Sequence, residues 1–574
     1  MPITARNLTV GFTKDQPILS DVSLDIADGE FVLVLGTSGS GKSMLALTLN
    51  GSIPQVIPVH WSGSLAVNGL DVTTTPVSEM ATHVGLVFQD PDAQLIAMFV
   101  EDEVVFGPEN LRFEREEIAR RLAYSLDMVD MAEFRRITTW NLSGGQKQRV
   151  AISSVLSMQP SILVLDEPTS NLDPEGTRAV FKLLAKLHYD ERKTIIAIEH
   201  KVDDLIEHVD RLLVFDQGRV VVNGPPREAI AEHGEVLMGL GINVPQISEL
   251  ALHARRRGLS MANGHFPITA AEAMARWPIA RREAAPAGAA SPARPAPIVR
   301  FENVSFNYRN RPPALRDVSL SIYPGEFVAI VGQNGAGKTT LTKLLAGLLR
   351  PTRGMVTLDG ADISRLKIDQ LTEKVGYVFQ YPDNQLVTDT VYDEVAFSMR
   401  IRKMDEGEVK ARVDEVLATV EMTRFADRHP LTLSMGEKRR LSVATMLVLD
   451  QKILILDEPT MGMDWGHILA VMRICRELQR QGRTIIMVTH DMRVVADWAD
   501  RVVAMSLGQI VLDSQPRDFF LDEAGLQATR LAQLPICPWR DCRHDASARC
   551  ATCARDMQTI LFEQHPYTVV EPNP

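Results

Sequence analysis

Short apolar runs punctuate this chain, and each stops at a polar or glycine-rich break. Phe31–Leu35, Ile162–Leu165 and Ile453–Leu456 carry no polar interruption. Runs of this kind read as strands buried on both faces. They are far shorter than the roughly 20 apolar residues of a membrane-spanning helix. Thr194–Ile198 and Thr484–Val488 are two more such strands, whereas Leu8-Thr9-Val10 and Val304-Ser305-Phe306 alternate, as strands with one buried face do. After Phe31–Leu35 the pattern changes to a glycine-rich loop over Gly36–Gly41, then to a helix opening over Lys42–Leu49. The same succession of strand, loop and helix returns in the second half.

The return is in register. Gly36-Thr37-Ser38-Gly39-Ser40-Gly41-Lys42-Ser43 recurs as Gly332-Gln333-Asn334-Gly335-Ala336-Gly337-Lys338-Thr339, with Thr340 following. Gln89 recurs as Gln380, Leu142-Ser143-Gly144-Gly145-Gln146 as Leu433-Ser434-Met435-Gly436-Glu437, Asp166-Glu167 as Asp457-Glu458, and His200 as His490. Five motifs in one order, twice, identify a duplicated unit. The pattern divides the chain into a first copy at 1–230, a helical extension and Pro/Ala-rich linker at 231–298, a second copy at 299–525 and a Cys-rich tail at 526–574. Ile247–Arg257 reads as helix, with Gln527–Leu534 as a candidate counterpart, and Ala284–Pro297 as an extended linker without core-forming periodicity.

Composition adds exclusions. The 574 residues exceed what one core supports, and a formal net charge of −12 disfavours non-specific nucleic-acid binding, which runs on Lys and Arg. No charged, then apolar, leader opens the chain, so a cytosolic protein is expected. The first 474 residues hold no cysteine, which argues against a disulfide-stapled secreted scaffold. Cys537, Cys542, Cys550 and Cys553 bracket His544 in the tail. They could hold zinc or an iron–sulfur cluster, or be free thiols on a simple tail.

The repeated motifs carry phosphate chemistry. Glycines let backbone N–H groups wrap phosphate oxygens without interference from Cβ. Lys42 and Lys338 then supply a point charge for the β- and γ-phosphates, and Ser43 and Thr339 offer a hydroxyl to Mg²⁺. Asp166 and Asp457, at the ends of apolar strands, are candidate Mg²⁺ holders; Glu167 and Glu458 follow where a water could be polarised for in-line attack.

In their order and in Leu142–Gln146, these motifs resemble the ATP-binding cassette ATPases, over about four-fifths of the chain. The resemblance implies an α/β fold of two P-loop, RecA-like cassette domains, each with a helical subdomain. It implies that ATP lies between the glycine-rich loop of one copy and Ser143, Gly144, Gly145 and Gln146, or Ser434 and Gly436, of the other. Gln89 and Gln380 would contact Mg²⁺ and sense the transporter. His200 and His490 would touch the γ-phosphate. Asn171-Leu172-Asp173 and Gly462-Met463-Asp464 would be loops crossing the interface. Phe12 and Tyr308, each 24 residues before the first loop glycine, are candidates for stacking on adenine, with a core role as the plainer alternative.

Asp90-Pro91-Asp92-Ala93-Gln94-Leu95 and Tyr381-Pro382-Asp383-Asn384-Gln385-Leu386, leading into Val100–Val104 and Val391–Val395, look like the ATPase component of energy-coupling factor transporters. Gly241–Ile247 resembles that group's C-terminal region. This likeness implies a vitamin, vitamin-precursor or metal-ion importer. Its transmembrane subunit and its substrate-binding membrane subunit would be separate proteins, and the chain would lie peripherally on the cytoplasmic face of the membrane. A soluble double cassette acting on ribosomes or nucleic acid is the alternative, but the acidic charge and apolar linker do not suit it. A sugar-importer pair is another, against which stands the intact second loop. The two signatures differ: Met435 and Glu437 replace Gly144 and Gln146. The site of Lys338 and Glu458, closed by the intact signature, is therefore expected to turn over faster.

Overall fold

The computed structural model describes residues 2–170, 172–256, 266–276, 295–309 and 312–522, with positions 526, 529 and 531. They form two compact units, the first described over 2–276 and the second from 295 onward. The cysteine tail and most of the expected linker lie outside the described residues, as does nearly all of Gln527–Leu534.

In the first unit, β1 (Ile3–Gly11), β2 (Leu19–Ile26), β4 (His60–Val67) and β5 (Leu70–Asp71) form an antiparallel sheet in the order β2-β1-β4-β5. A second sheet has the order β10-β9-β3-β8-β7-β6, from β3 (Phe31–Gly36), β6 (Val84–Val87), β7 (Ile162–Asp166), β8 (Thr194–Ile198), β9 (Arg211–Asp216) and β10 (Arg219–Gly224). Only the β9–β10 pairing in it is antiparallel. The unbroken apolar run of β3 has a direct cause. Phe31, Leu33 and Leu35 pack into one core while Val32 and Val34 pack into another, so both faces are covered. The helices Val100–Asn110, Arg115–Met128 and Gly144–Leu156 make up a helical lobe.

The second unit repeats this plan. An antiparallel sheet runs β12-β11-β14-β15 and a mostly parallel one β16-β17-β18-β13-β19-β20. The strands are β11 (Val299–Asn307), β12 (Pro313–Ile322), β13 (Phe327–Gly332), β14 (Arg353–Leu358), β15 (Ala361–Asp362), β16 (Val375–Val378), β17 (Ile453–Asp457), β18 (Thr484–Val488), β19 (Arg501–Ser506) and β20 (Gln509–Ser514). In each unit the glycine-rich loop leaves the carboxyl end of a strand flanked on both sides by parallel neighbours. Open α/β sheets place their ligand sites at such strand ends.

The expected boundary at 230 falls inside the Pro226–Gly239 helix. The reason is packing. Leu237, Ile242, Val244, Ala251, Leu252 and Phe266 of the extension belong to the same buried cluster as Phe31 and Leu165. The extension is thus part of the first unit's core, joined by the helices Gln246–Arg256 and Ala270–Arg276. Arg227 clamps Glu272 with two hydrogen bonds, of 3.0 and 2.5 Å, and also donates to the Phe266 carbonyl.

The Arg227 hydrogen bonds hold the Glu272 carboxyl below the ordinary glutamate value of 4.5. Its stabilising contribution is therefore fully present above pH 4.5 and is lost as the pH falls through the lower, folded value. Since the pair is partly exposed, the clamp is worth up to about 1 kcal/mol. Glu272→Gln should speed amide exchange over residues 270–276 at neutral pH; unchanged exchange there would show that packing alone docks the helix.

Candidate functional site

Both glycine-rich loops are built alike. Gly41 and Gly337, in left-handed conformation at φ 98° and 99°, precede the helices Lys42–Leu49 and Lys338–Leu345. A Cβ on either would meet a backbone carbonyl, that of Ile18 at 2.9 Å or Ala314 at 2.6 Å. The ammonium of Lys42 donates to the carbonyls of Gly36 (2.9 Å) and Thr37 (2.8 Å); that of Lys338 donates to Gly332 (2.7 Å) and Gln333 (3.0 Å). Each loop thus holds a nearly buried cation at a helix N-terminus free of acidic side chains. That combination favours anions.

The acids arrive from β7 and β17. Thr339 Oγ1 donates to Asp457 Oδ1 at 3.0 Å, and the Ser43 hydroxyl stands near Asp166 at the matching position. Burial raises both aspartates above their ordinary value, against the opposing pull of those hydroxyls. Glu167 and Glu458 follow in left-handed backbone, at φ 46° and 47°, a conformation that is uncommon and costly for a residue other than glycine. His200 Nε2 lies 3.0 Å from Glu167 Oε1. In the second unit His490 Nδ1 lies 2.9 Å from Glu458 Oε2, close enough to pair as ions but off the hydrogen-bonding direction. Burial pushes the Glu458 carboxyl up, yet the charge of His490, with Lys338 at 3.9 Å, outweighs it and holds Glu458 below the usual glutamate range.

The two glutamines diverge. Gln89 Nε2 donates to Glu167 Oε2 at 2.8 Å, so it stands beside the acid pair. Gln380 Nε2 instead reaches Met461 Sδ at 3.6 Å. The expected grouping of Thr339, Gln380 and Asp457 is therefore only half assembled in this structure. Phe12 and Tyr308 are exposed, which rules out the core reading for both. The Tyr308 ring meets Phe306 edge-on at 4.9 Å, and its hydroxyl is 3.3 Å from Thr340 Oγ1.

Ser143 and Ser434 each cap a helix, Gly144–Leu156 and Met435–Leu447, in a reciprocal box with Gln146 and Glu437. The Glu437 carboxylate accepts the Ser434 N–H at 2.8 Å. Its negative charge thus serves its own helix N-terminus, where it is stabilising. Asp173 and Asp464 cap the helices Pro174–Glu191 and Trp465–Arg480. Asn171 lies outside the described residues.

With this geometry in view, the comparisons are decisive. The ABC transporter family profile matches residues 19–170 and 315–461, once in each unit. A Methanosarcina mazei protein named "Putative ABC transporter ATP-binding protein" is 40% identical over 93% of this chain and 92% of its own length. The chain belongs to the ABC transporter family. Bacillus subtilis "Putative HMP/thiamine import ATP-binding protein YkoD" is 35% identical, covering 93% of this chain and 94% of that one. A solved structure of cbiO1 from Clostridium perfringens, described as part of the ABC transporter complex cbiONQ, is 36% identical over 41% of this chain and 94% of that one, with a TM-score of 0.38. ABC cassettes bind and hydrolyse ATP, and this chain carries two.

Several cassette residues were invisible to motif reading. Tyr377 donates to Asp457 Oδ2 at 2.8 Å, where the first cassette has Leu86. Buried Glu199 accepts from the backbone N–H of Thr169 (3.0 Å) and of His200 (3.1 Å). Lys201 donates to the carbonyls of Thr169 (2.9 Å) and Leu172 (3.2 Å). Asn243, from the extension, grips the His200 carbonyl at 3.0 Å. The second cassette has Thr489 and Asp491 at the flanking positions, and there Asp491 caps the helix Met492–Trp498. The sequence signal for Tyr377, Glu199 and Lys201 was the mismatch between aligned repeats; Asn243 lies within the Gly241–Ile247 segment already noted.

The second signature glycines differ in surroundings. A Cβ on Gly436 would fall 2.4–3.0 Å from the ring and Cβ of His467, whereas one on Gly145 would have only Leu172 at 3.8 Å. Gly436→Ala should destabilise the second cassette by about 1–3 kcal/mol, while Gly145→Ala stays within about 1 kcal/mol of neutral, since alanine suits helices. Denaturant unfolding of the two variants measures this; equal losses would contradict it.

Proposed function

We propose that the chain is the double ATPase of an energy-coupling factor type importer for a vitamin, a vitamin precursor or a metal ion. The observation that carries the catalytic part is the recurrence, in both cassettes, of a loop lysine, a hydroxyl–aspartate pair and a glutamate–histidine pair at one set of strand ends. The import part rests on the glutamine–proline–aspartate segments and on the likeness to YkoD, whose printed name is an import protein.

In this reading each ATP is bound by the loops 36–43 and 332–340 of one cassette and closed over by Ser143–Gln146 or Ser434–Gly436 of the other. Phe12 and Tyr308 stack on adenine. Hard oxygen donors suit Mg²⁺, and the paired oxygens of Ser43 with Asp166 and Thr339 with Asp457 fit it; Gln89 and Gln380 would complete the sets. Bound Mg²⁺ would neutralise charge on the phosphates. Glu167 and Glu458 then orient the attacking water, and His200 and His490 hold those carboxylates and reach the γ-phosphate. Catalysis is positioning and charge stabilisation.

Among the described residues no helix is long and apolar enough to cross a membrane. Transport therefore calls for membrane subunits: a transmembrane coupling partner and a separate substrate-binding protein, with this chain peripheral on the cytoplasmic face. Exposed apolar side chains cluster along the chain just after the Q-loop glutamines, including Ile96, Met98 and Phe106 in one cassette and Val387 and Phe397 in the other. Exposed apolar patches of this kind suit a docking surface.

Two measurements test the reading. Co-expression with a polytopic membrane subunit should yield a co-purifying complex that takes up its cargo on ATP addition. Ile96→Asp and Val387→Asp should lower recovery of that subunit at least tenfold while leaving ATP binding intact; co-purification with ribosomes instead would overturn it. For turnover, Glu458→Gln should cost more than Glu167→Gln, because the site of Glu458 is closed by the signature that keeps both glycines. The reverse order would refute the asymmetry.

A further inference from the structure

The two cassettes tie the Q-loop to the catalytic acid by different means. In the first, an exposed side-chain bond runs from Gln89 Nε2 to Glu167 Oε2 at 2.8 Å, and Lys147 of the signature helix pairs with Asp92, as Lys438 does with Asp383 in the second. In the second, Gln380 makes no bond to Glu458 among those found. Its loop is held through the backbone, by Arg439 on the signature helix. Arg439 is fully buried, and its guanidinium donates to the carbonyls of Phe379, of Gln380 (2.7 Å) and of Glu458 (3.4 Å). The equivalent residue of the first cassette, five positions after Ser143, is Gln148. It is equally buried, but its Nε2 donates to nothing among the described residues.

A planar guanidinium carries five N–H donors and can serve three carbonyls at once, whereas an amide has only two. Burying a cation without partners is costly, so the three carbonyls and the neighbouring Asp457 and Glu458 charges must stay where Arg439 needs them. Side-chain ties of an exposed glutamine carry no such penalty when broken.

We infer that Arg439 is a positioning residue that locks the second Q-loop to the signature helix and to the Glu458 backbone, leaving the first Q-loop, which has no buried arginine and is held by the side-chain bonds of Gln89 and of Asp92 with Lys147, as the one that moves when nucleotide binds. The inference rests on the ATP-site reading above and adds a division of labour: a fixed second cassette and a reporting first one.

Amide exchange on the full chain, with and without a non-hydrolysable ATP analogue and Mg²⁺, tests it. Residues 376–382 should exchange at least tenfold more slowly than 85–91, and only 85–91 should respond to nucleotide. Arg439→Gln should speed exchange over 376–382 about tenfold and make it nucleotide-responsive. Gln148→Arg should slow 85–91, and it keeps the test alive if Arg439→Gln does not fold. In a Glu167→Gln background, Arg439→Gln should lower kcat at least fivefold with the KM for ATP within twofold, and Arg439→Lys should restore part of it. Equal exchange in the two loops, or no change in either variant, would overturn the inference. If the nucleotide-free exchange rates of the two loops and of the variants are as stated but nucleotide alters none of them, the lock stands and the ATP-site reading falls.

Discussion

A nearly buried ammonium enclosed by its own loop is the constraint around which each cassette is arranged. Lys42 and Lys338 hydrogen-bond carbonyls two turns of backbone away, which bends the loop between strand and helix into a closed cradle. A nearly buried cation at a helix N-terminus favours negative charge nearby. The protein supplies part of it from β7 and β17, whose terminal aspartates and glutamates face the cradle. Those glutamates adopt left-handed backbone in both cassettes. Strain repeated at two sites of one chain, on a residue type that does not favour it, marks an arrangement kept for its chemistry.

Around that shared frame the cassettes differ chiefly in what braces the acids and histidines. The first holds its switch histidine from three directions: Glu199 on the N–H, Asn243 on the carbonyl and Glu167 on the ring. Asn243 comes from the extension packed into that cassette's core, so the extension also holds the backbone at His200. The second braces its acids instead, with Tyr377 on Asp457 and Arg439 beneath Glu458. The family establishes both as ATPase cassettes; the bracing suggests that they contribute unequally to one cycle.

Much of this was legible in sequence because it depends on local chemistry. The loops, the strands Thr194–Ile198 and Thr484–Val488 and the helix start at Lys42 are governed by glycine freedom and apolar runs, and they appear where those signals put them. The boundary at 230 was misplaced because nothing in a helical pattern says which core it joins; that is decided by Leu237 and Leu252 meeting the first cassette. The capping role of Glu437 was not legible, because it requires knowing where the Met435–Leu447 helix begins. The role of Arg439 was not legible, since burial against three carbonyls is a product of tertiary packing alone.

The central claim is that two ATP molecules are clasped between the two cassettes. A cryo-EM structure of the doubly substituted Glu167→Gln, Glu458→Gln chain saturated with Mg²⁺ and ATP tests it most directly. The account predicts two nucleotides, one on Lys42 and contacted by Ser434, the other on Lys338 and contacted by Ser143. Nucleotides held by one cassette each, with both signature serines remote from them, would contradict it.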